Sequence, residues 1–167
     1  MLNILIIGIF LAPIILLSIL EVNSVVAFLT LCLGAVASLT LNKNVFIEKY
    51  FHSSNYINHI TLLNNLKLVL LLLPLVVIII LMVKTAKGGL LSVNTIGAIA
   101  TGVLLTYLLI PILPGSLTSG INNNNLWLKI QSQESNAIGI SALVVLVLLV
   151  LQRGKFSHKG GLSKHKK

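Results

Sequence analysis

Long runs of apolar residues, separated by short polar segments, constrain this sequence more than any other feature. Residues 68–83 read LVLLLLPLVVIIILMV, without a charged side chain. A globular core would interrupt such a run with polar positions every few residues. Of all residues, 56% are hydrophobic and 9% are charged, whereas a soluble domain is about a quarter charged. The pattern therefore predicts a protein whose solvent is the lipid bilayer.

Five of these runs meet or approach the length that crosses a bilayer, which is about 20 apolar residues for roughly 30 Å of hydrocarbon. We predict an all-α integral membrane helical bundle of about five transmembrane helices, or four if the first is not a stable span. The predicted spans are residues 2–20, 25–41, 66–83, 93–113 and 137–151. They form one transmembrane domain, residues 1–151, followed by a flexible tail, residues 152–167.

The first and the last of these runs each raise a question. No basic residue precedes the first run, and its apolar part is longer than that of a typical signal peptide. Both features favour a retained helix over a cleaved signal. The last run is short, so it needs its polar flanks or a locally thinned bilayer in order to span.

The tail QRGKFSHKGGLSKHKK contains six of the twelve lysines and arginines and no acid. Basic residues in short loops favour the cytoplasmic side, so we predict a cell-membrane protein with its N-terminus outside and its C-terminus in the cytoplasm. The tail is expected to contact anionic lipid headgroups, and nucleic acid is not an expected partner despite the net charge of +9. The residues expected to make this lipid contact are Arg153, Lys155, Lys159, Lys164, Lys166 and Lys167.

Two longer polar segments are then expected outside. Residues 42–65 place Phe46, Tyr50, Ile57 and Ile60 at helical spacing, which fits either a helix on the membrane surface or a loosely folded loop. Residues 114–136 begin with Pro-Gly and contain four consecutive asparagines, a composition that favours turns and solvent. Trp127 is the expected anchor of that segment at the membrane interface.

The residue types that carry chemistry are scarce. The chain has no aspartate, its three glutamates are far apart in sequence, and its four histidines form no spacing typical of a metal site. Intramembrane ionisable residues usually mark function, but none lies clearly at the centre of a predicted span. We therefore predict that the protein is not an enzyme and has no cofactor and no bound metal.

The sequence supports a role in helix packing better than a role in catalysis. Small residues four apart allow helices to approach closely in lipid, and such pairs suggest that the second and fourth spans form the interior. The third and fifth spans would then face lipid or a partner. Pro74 and Pro111 are expected to bend their helices. The residues predicted to pack are Gly34, Ser38, Gly97, Ala98, Thr101 and Gly102.

Two functional hypotheses follow. The first is a structural or accessory membrane subunit that packs against a larger membrane protein or a second copy of itself. The alternative is a transport or pore component, with a path lined by polar residues of the fourth span. Those polar residues are Asn94, Thr95, Thr101, Thr106 and Tyr107.

Overall fold

A computed structural model describes residues 2–43, 56–84 and 91–157. In these ranges the chain is helical and contains no strand, so the predicted all-α bundle is confirmed. A 3₁₀ turn, Ile110–Ile112, extends the fourth helix. The helices are α1 (Leu2–Ile19), α2 (Ser24–Lys43), α3 (Tyr56–Leu81), α4 (Leu91–Leu109), α5 (Gly115–Asn122), α6 (Asn125–Gln131) and α7 (Glu134–Ser157).

Four segments of the described residues are long and apolar enough to cross a membrane, by length and composition. They are Leu2–Ile19, Leu63–Leu81, Asn94–Ile112 and Glu134–Gln152. A helix suits lipid because it satisfies its backbone hydrogen bonds internally. The sequence raised questions about the first and the last runs, but the shorter apolar helix among the described residues is the second, Ser24–Thr40. Polar residues interrupt its end at Ser38 and Thr40.

Helix α4 lies at the centre of the bundle. It packs against α1, α2 and α7, while α3 packs on α2. Of the α4 span, 56% of residues are buried inside the protein, compared with 17% or fewer in each of the other three long spans. Consecutive helices are therefore not simply stacked side by side, because α4 occupies the space between the first two helices and the last.

The segment predicted to be a solvated turn region, residues 114–136, is mostly helical. It forms α5 and α6, and α7 already begins at Glu134. Asn124 starts α6 as an N-cap, since its side chain accepts a hydrogen bond from the Leu126 N–H at 2.9 Å. Asn124 thus acts as a helix cap, and the asparagine run contains the exposed turn between α5 and α6. The prediction of turns and solvent therefore holds for this turn, whereas most of the segment is helical.

Trp127 also differs from expectation. Its side chain is only 2% exposed and packs in a cluster with Ile6, Tyr107, Ile110 and Ile121. The ring is therefore enclosed by the protein, and the prediction of an anchor in the membrane interface was wrong. The physical reason is that α6 folds back over the ends of α1 and α4, which bury its apolar side chains.

The remaining boundaries differ from the predicted ones in two places. Helix α3 begins at Tyr56, so residues 56–65 extend the third span as one helix, with Pro74 inside it; Phe46 and Tyr50 lie outside the described residues. Helix α7 runs from Glu134 to Ser157, so the polar flanks that the short fifth run was expected to need are helical. At Pro111 the α-helical part of α4 gives way to the 3₁₀ turn.

We predict that Gly34→Ala destabilises the packing of α2 on α3. A Cβ at Gly34 would lie 2.8 Å from the Leu71 backbone oxygen, which cannot move without shifting α3. We expect a loss of about 1–3 kcal/mol, the usual range for overpacking, measured as unfolding in mixed detergent micelles. Gly139→Ala is the matched control, because a Cβ at Gly139 has nothing within 4 Å. Equal stability of the two variants would contradict this packing.

Candidate functional site

A buried asparagine joins α4 to the turn between α1 and α2. Asn94, near the start of α4, is 6% exposed. Its Nδ2 donates to the Val22 carbonyl oxygen at 2.8 Å, and its Oδ1 accepts from the Ser24 N–H at 2.7 Å. Both functional ends of the amide are thus bonded to the backbone of another part of the chain.

The turn has backbone groups that need such a partner. Helix α2 begins at Ser24, and the first N–H groups of a helix have no partner inside it. Asn23 bonds one of them, through its Oδ1 to the Val25 N–H at 3.1 Å, and Asn94 bonds the N–H of Ser24. The turn itself is tight, since Glu21 has a positive φ of 50°. Helix α4 therefore caps α2.

Further contacts join α4 and α7 to the turn between α1 and α2. The Thr101 hydroxyl is 2.8 Å from the Gly97 oxygen and 3.4 Å from the Ser24 oxygen, and Thr101 is fully buried. The Ser24 hydroxyl faces Gly97, where a Cβ would collide with it. On the other side, Asn23 Nδ2 donates to Gln152 Oε1 at 3.3 Å, which joins α7 to the same turn.

The polar residues in the second half of α4 also form hydrogen bonds within the protein. The Thr106 hydroxyl donates to the Gly102 oxygen at 2.8 Å, and the Tyr107 hydroxyl donates to the Ile130 oxygen at 2.7 Å. Thr95 is exposed. Among the residues proposed to line a path, Asn94, Thr101, Thr106 and Tyr107 thus use polar atoms in hydrogen bonds within the protein.

The residues predicted to pack helices lie at several different contacts. A Cβ at Gly34 would meet the Leu71 backbone of α3, and a Cβ at Gly102 would lie 2.7 Å from the Phe10 oxygen of α1. Gly97 faces Ser24, as described above. Ala98 is fully buried, and Ser38 is 8% exposed, with its hydroxyl bonded to the Ala35 oxygen at 2.8 Å.

The tail and metal predictions are only partly covered by the described residues. Helix α7 continues to Ser157, so Arg153 and Lys155 belong to its final turns. The other four basic residues of the tail lie outside the described part of the chain: Lys159, Lys164, Lys166 and Lys167. Of the four histidines, His59 alone lies in the described part, within helix α3. Among the described residues, no three His, Cys, Asp or Glu side chains are grouped to hold a metal ion.

Sequence reasoning missed the partners of Asn94 rather than Asn94 itself. A single amide at the start of an apolar run was visible in the sequence, but the groups that it bonds belong to Val22 and Ser24, which lie 72 and 70 positions away. The hydrogen bond from Tyr107 to Ile130 was missed for the same reason. A useful signal was the Asn23-Ser24 pair, which is typical of a helix start that needs capping.

These features describe an all-α bundle with membrane-length apolar helices, held together by polar and close-packed contacts of its central helix α4. Comparison with known proteins finds no matching family model, no matching curated protein and no matching solved structure.

We predict that Asn94→Leu destabilises the bundle by about 1–3 kcal/mol, because the Ser24 N–H and the Val22 oxygen lose their partner at a buried site. Unfolding in mixed micelles measures the change. Asn94→Asp should also destabilise the bundle, since an aspartate carboxylate accepts from the Ser24 N–H but cannot donate to the Val22 oxygen, and its charge is costly to bury. Asn122→Leu is the control, because Asn122 is exposed at the end of α5. A loss no greater than that of the control would contradict the capping role.

Proposed function

We propose that this chain is an integral membrane protein with a structural or accessory role, and that it acts through helix packing rather than catalysis. The observation that carries the proposal is that the buried polar side chains of α4 form hydrogen bonds within the protein. In the most buried helix, the amide and hydroxyl groups of Asn94, Thr101, Thr106 and Tyr107 bond to the protein itself. The bonds of Asn94 and Tyr107 join α4 to other segments of the chain, whereas the hydroxyls of Thr101 and Thr106 bond mainly to the backbone of α4 itself. The contacts between helices are what a packing module requires.

The placement of the glutamates supports a role without catalysis. Glu21 lies in the turn between α1 and α2, whereas Glu134 begins α7 at the opposite end of the bundle. General acid–base chemistry needs its two groups within hydrogen-bond reach of one substrate. Within the described ranges, these two carboxyl groups are separated by the length of a span.

The outward faces of the peripheral helices are the surfaces available to a partner. They carry large apolar side chains, such as Leu73 and Ile80 on α3 and Ile140 and Leu146 on α7, each at least 55% exposed. In a bilayer these faces meet lipid or the spans of a second protein. We propose that a larger membrane protein or a second copy of this chain packs there.

A pore function has less support. A path for ions or polar solutes needs polar groups that are free to replace water. The polar side chains of Asn94, Thr101, Thr106 and Tyr107 bond to backbone atoms of the protein, as described above. The buried position of α4 between three other helices also leaves its polar side facing protein.

The contacts at one end of the bundle support an orientation with that end in the cytoplasm. The Lys84 N–H donates to the Leu20 oxygen at 2.9 Å, and Asn23 bonds Gln152. The ends of α1, α3 and α7 therefore meet at this end of the bundle, and the basic tail follows α7. We propose that the N-terminus is outside, and that the tail contacts anionic headgroups of the inner leaflet.

We expect photo-crosslinking in intact membranes to identify the partner. A photoreactive residue in place of Ile80 or Ile140 should form a discrete crosslinked product, since both are at least 64% exposed. The same substitution at Leu148, which is 5% exposed on α7, is the control. The proposal is contradicted if no product forms at the exposed positions and the purified protein conducts ions in liposomes.

We expect the basic residues of the tail to determine which way the protein faces in the membrane. A cysteine placed in the tail can be used to measure that orientation. In a Cys32→Ser background, Lys166→Cys should react with a membrane-impermeant thiol reagent only after the cells are permeabilised. Changing Lys159, Lys164, Lys166 and Lys167 to glutamine should increase the fraction of inverted protein, because the positive-inside bias is weakened; for that variant the reporter cysteine is placed at Ser163. Full labelling of intact cells would overturn the proposed orientation.

A further inference from the structure

An apolar cleft lies beside α4, between the helices that flank it. Its volume is about 300 Å³. Helices α1 and α7 both pack on α4, and α6 covers one end. The side chains that matter for its chemistry are Ile7 and Phe10 of α1, Val103 and Tyr107 of α4, Ile130 of α6 and Ala137 of α7.

The lining offers almost no polar atom to an occupant. Thr106 and Tyr107 are the lining residues with hydroxyl groups, and each hydroxyl donates to a backbone oxygen of the protein. Water in a cavity needs two or more polar partners, and a peptide would leave its backbone groups unbonded. The occupant is therefore a hydrocarbon chain. An apolar cavity of about 150 Å³ already binds benzene, so this cleft has room for a segment of an acyl chain.

The position of the cleft along the helices matches one leaflet. Phe10 is near the middle of α1, and Val103 is near the middle of the span Asn94–Ile112. From there the cleft extends to α6 at the outer end. Half of the roughly 30 Å hydrocarbon core is one leaflet, which is the depth reached by one acyl chain.

Two opposite charges flank the covered end. Lys129 is exposed in the last turn of α6, three residues after Leu126, which lines the cleft. Glu134 is exposed at the start of α7, three residues before Ala137. Residues three apart share a helix face, so Lys129 shares a face of α6 with Leu126, and Glu134 shares a face of α7 with Ala137. A cation and a carboxylate together complement a headgroup that carries a phosphate and an ammonium.

We propose that the cleft binds one acyl chain of a zwitterionic phospholipid, with the phosphate at Lys129 and the ammonium group at Glu134. This proposal rests on the bilayer insertion inferred above. It adds a specific lipid site to a protein whose other outward faces meet bulk lipid or the spans of a partner. The bound chain fills the space that α1 and α7 leave open beside α4.

Trp127 provides the readout. It is the chain's single tryptophan, is 2% exposed, and its ring centroid lies 6.1 Å from that of Tyr107 in the cleft wall. The full-length protein is reconstituted in phosphatidylethanolamine vesicles whose acyl chains carry bromine, which quenches tryptophan fluorescence at short range. We expect strong quenching in the wild type.

Matched variants separate the cleft from bulk lipid. Ala137→Phe fills the cleft and should reduce the quenching at least twofold, whereas Ala142→Phe, on the exposed side of the same helix, should leave it unchanged. Ile7→Phe fills the cleft from the side of α1, and Ile4→Phe is its control. Both positions can accept a larger side chain, because Ile7 is 48% exposed and Ile4 is 74% exposed. Equal quenching in both variants of each pair would overturn the site.

Native mass spectrometry of the protein in mild detergent tests the headgroup. We expect one retained phospholipid, with phosphatidylethanolamine preferred over phosphatidylglycerol. Lys129→Gln should lower retention of both lipids several-fold, and Glu134→Gln should shift the preference toward phosphatidylglycerol. A wild-type preference for phosphatidylglycerol would overturn the assignment of the ammonium group to Glu134. Failure of the wild type and controls to float with vesicles would instead overturn bilayer insertion itself.

Discussion

The hydrogen bonds of Asn94 hold the centre of this protein together. In a bilayer there is little hydrophobic force between helices, because lipid is as apolar as the helix surface. A buried amide that bonds the Val22 oxygen and the Ser24 N–H therefore determines where α4 sits along the turn between α1 and α2. Once α4 is in place, α1, α2 and α7 have a common surface to pack against. The cost of separating them is the loss of bonds that neither lipid nor neighbouring side chains can replace.

Tight packing of these helices also requires their backbones to approach closely. Gly97 leaves space for the Ser24 hydroxyl, Gly102 for the Phe10 oxygen, and Gly34 for the Leu71 oxygen. Dispersion contacts between helices depend on such approach, since each contact weakens steeply with distance. Where the approach is incomplete, beside α4 between α1 and α7, the bundle leaves a cleft instead. The proposed structural role and the proposed lipid site thus arise from the same packing, complete on one side of α4 and open on another.

Much of the fold could be predicted from the sequence. Run length and the scarcity of charges indicated apolar helices, and small residues indicated that α4 is interior, since hydrophobicity and size are properties of single residues. Residues 114–136 could be predicted only in part. The asparagine run does contain a turn, but it joins two helices, α5 and α6, and Trp127 is buried because α6 packs over α1 and α4. The environment of such a residue is decided by helices that are distant in sequence.

By itself, the sequence determined the helical class and the number and approximate positions of the long apolar runs, because each depends on local hydropathy and on the need to satisfy backbone groups where the surroundings are apolar. Only the tertiary structure decided which helices are neighbours and what the polar residues of α4 do. Asn94, Thr101, Thr106 and Tyr107 would suit a polar path equally well on composition alone. Thr101 and Thr106 bond mainly to the preceding turn of their own helix. The partners of Asn94 and Tyr107 are backbone atoms of distant segments brought close by folding, and a hydrogen bond exists only where donor and acceptor meet within about 3 Å.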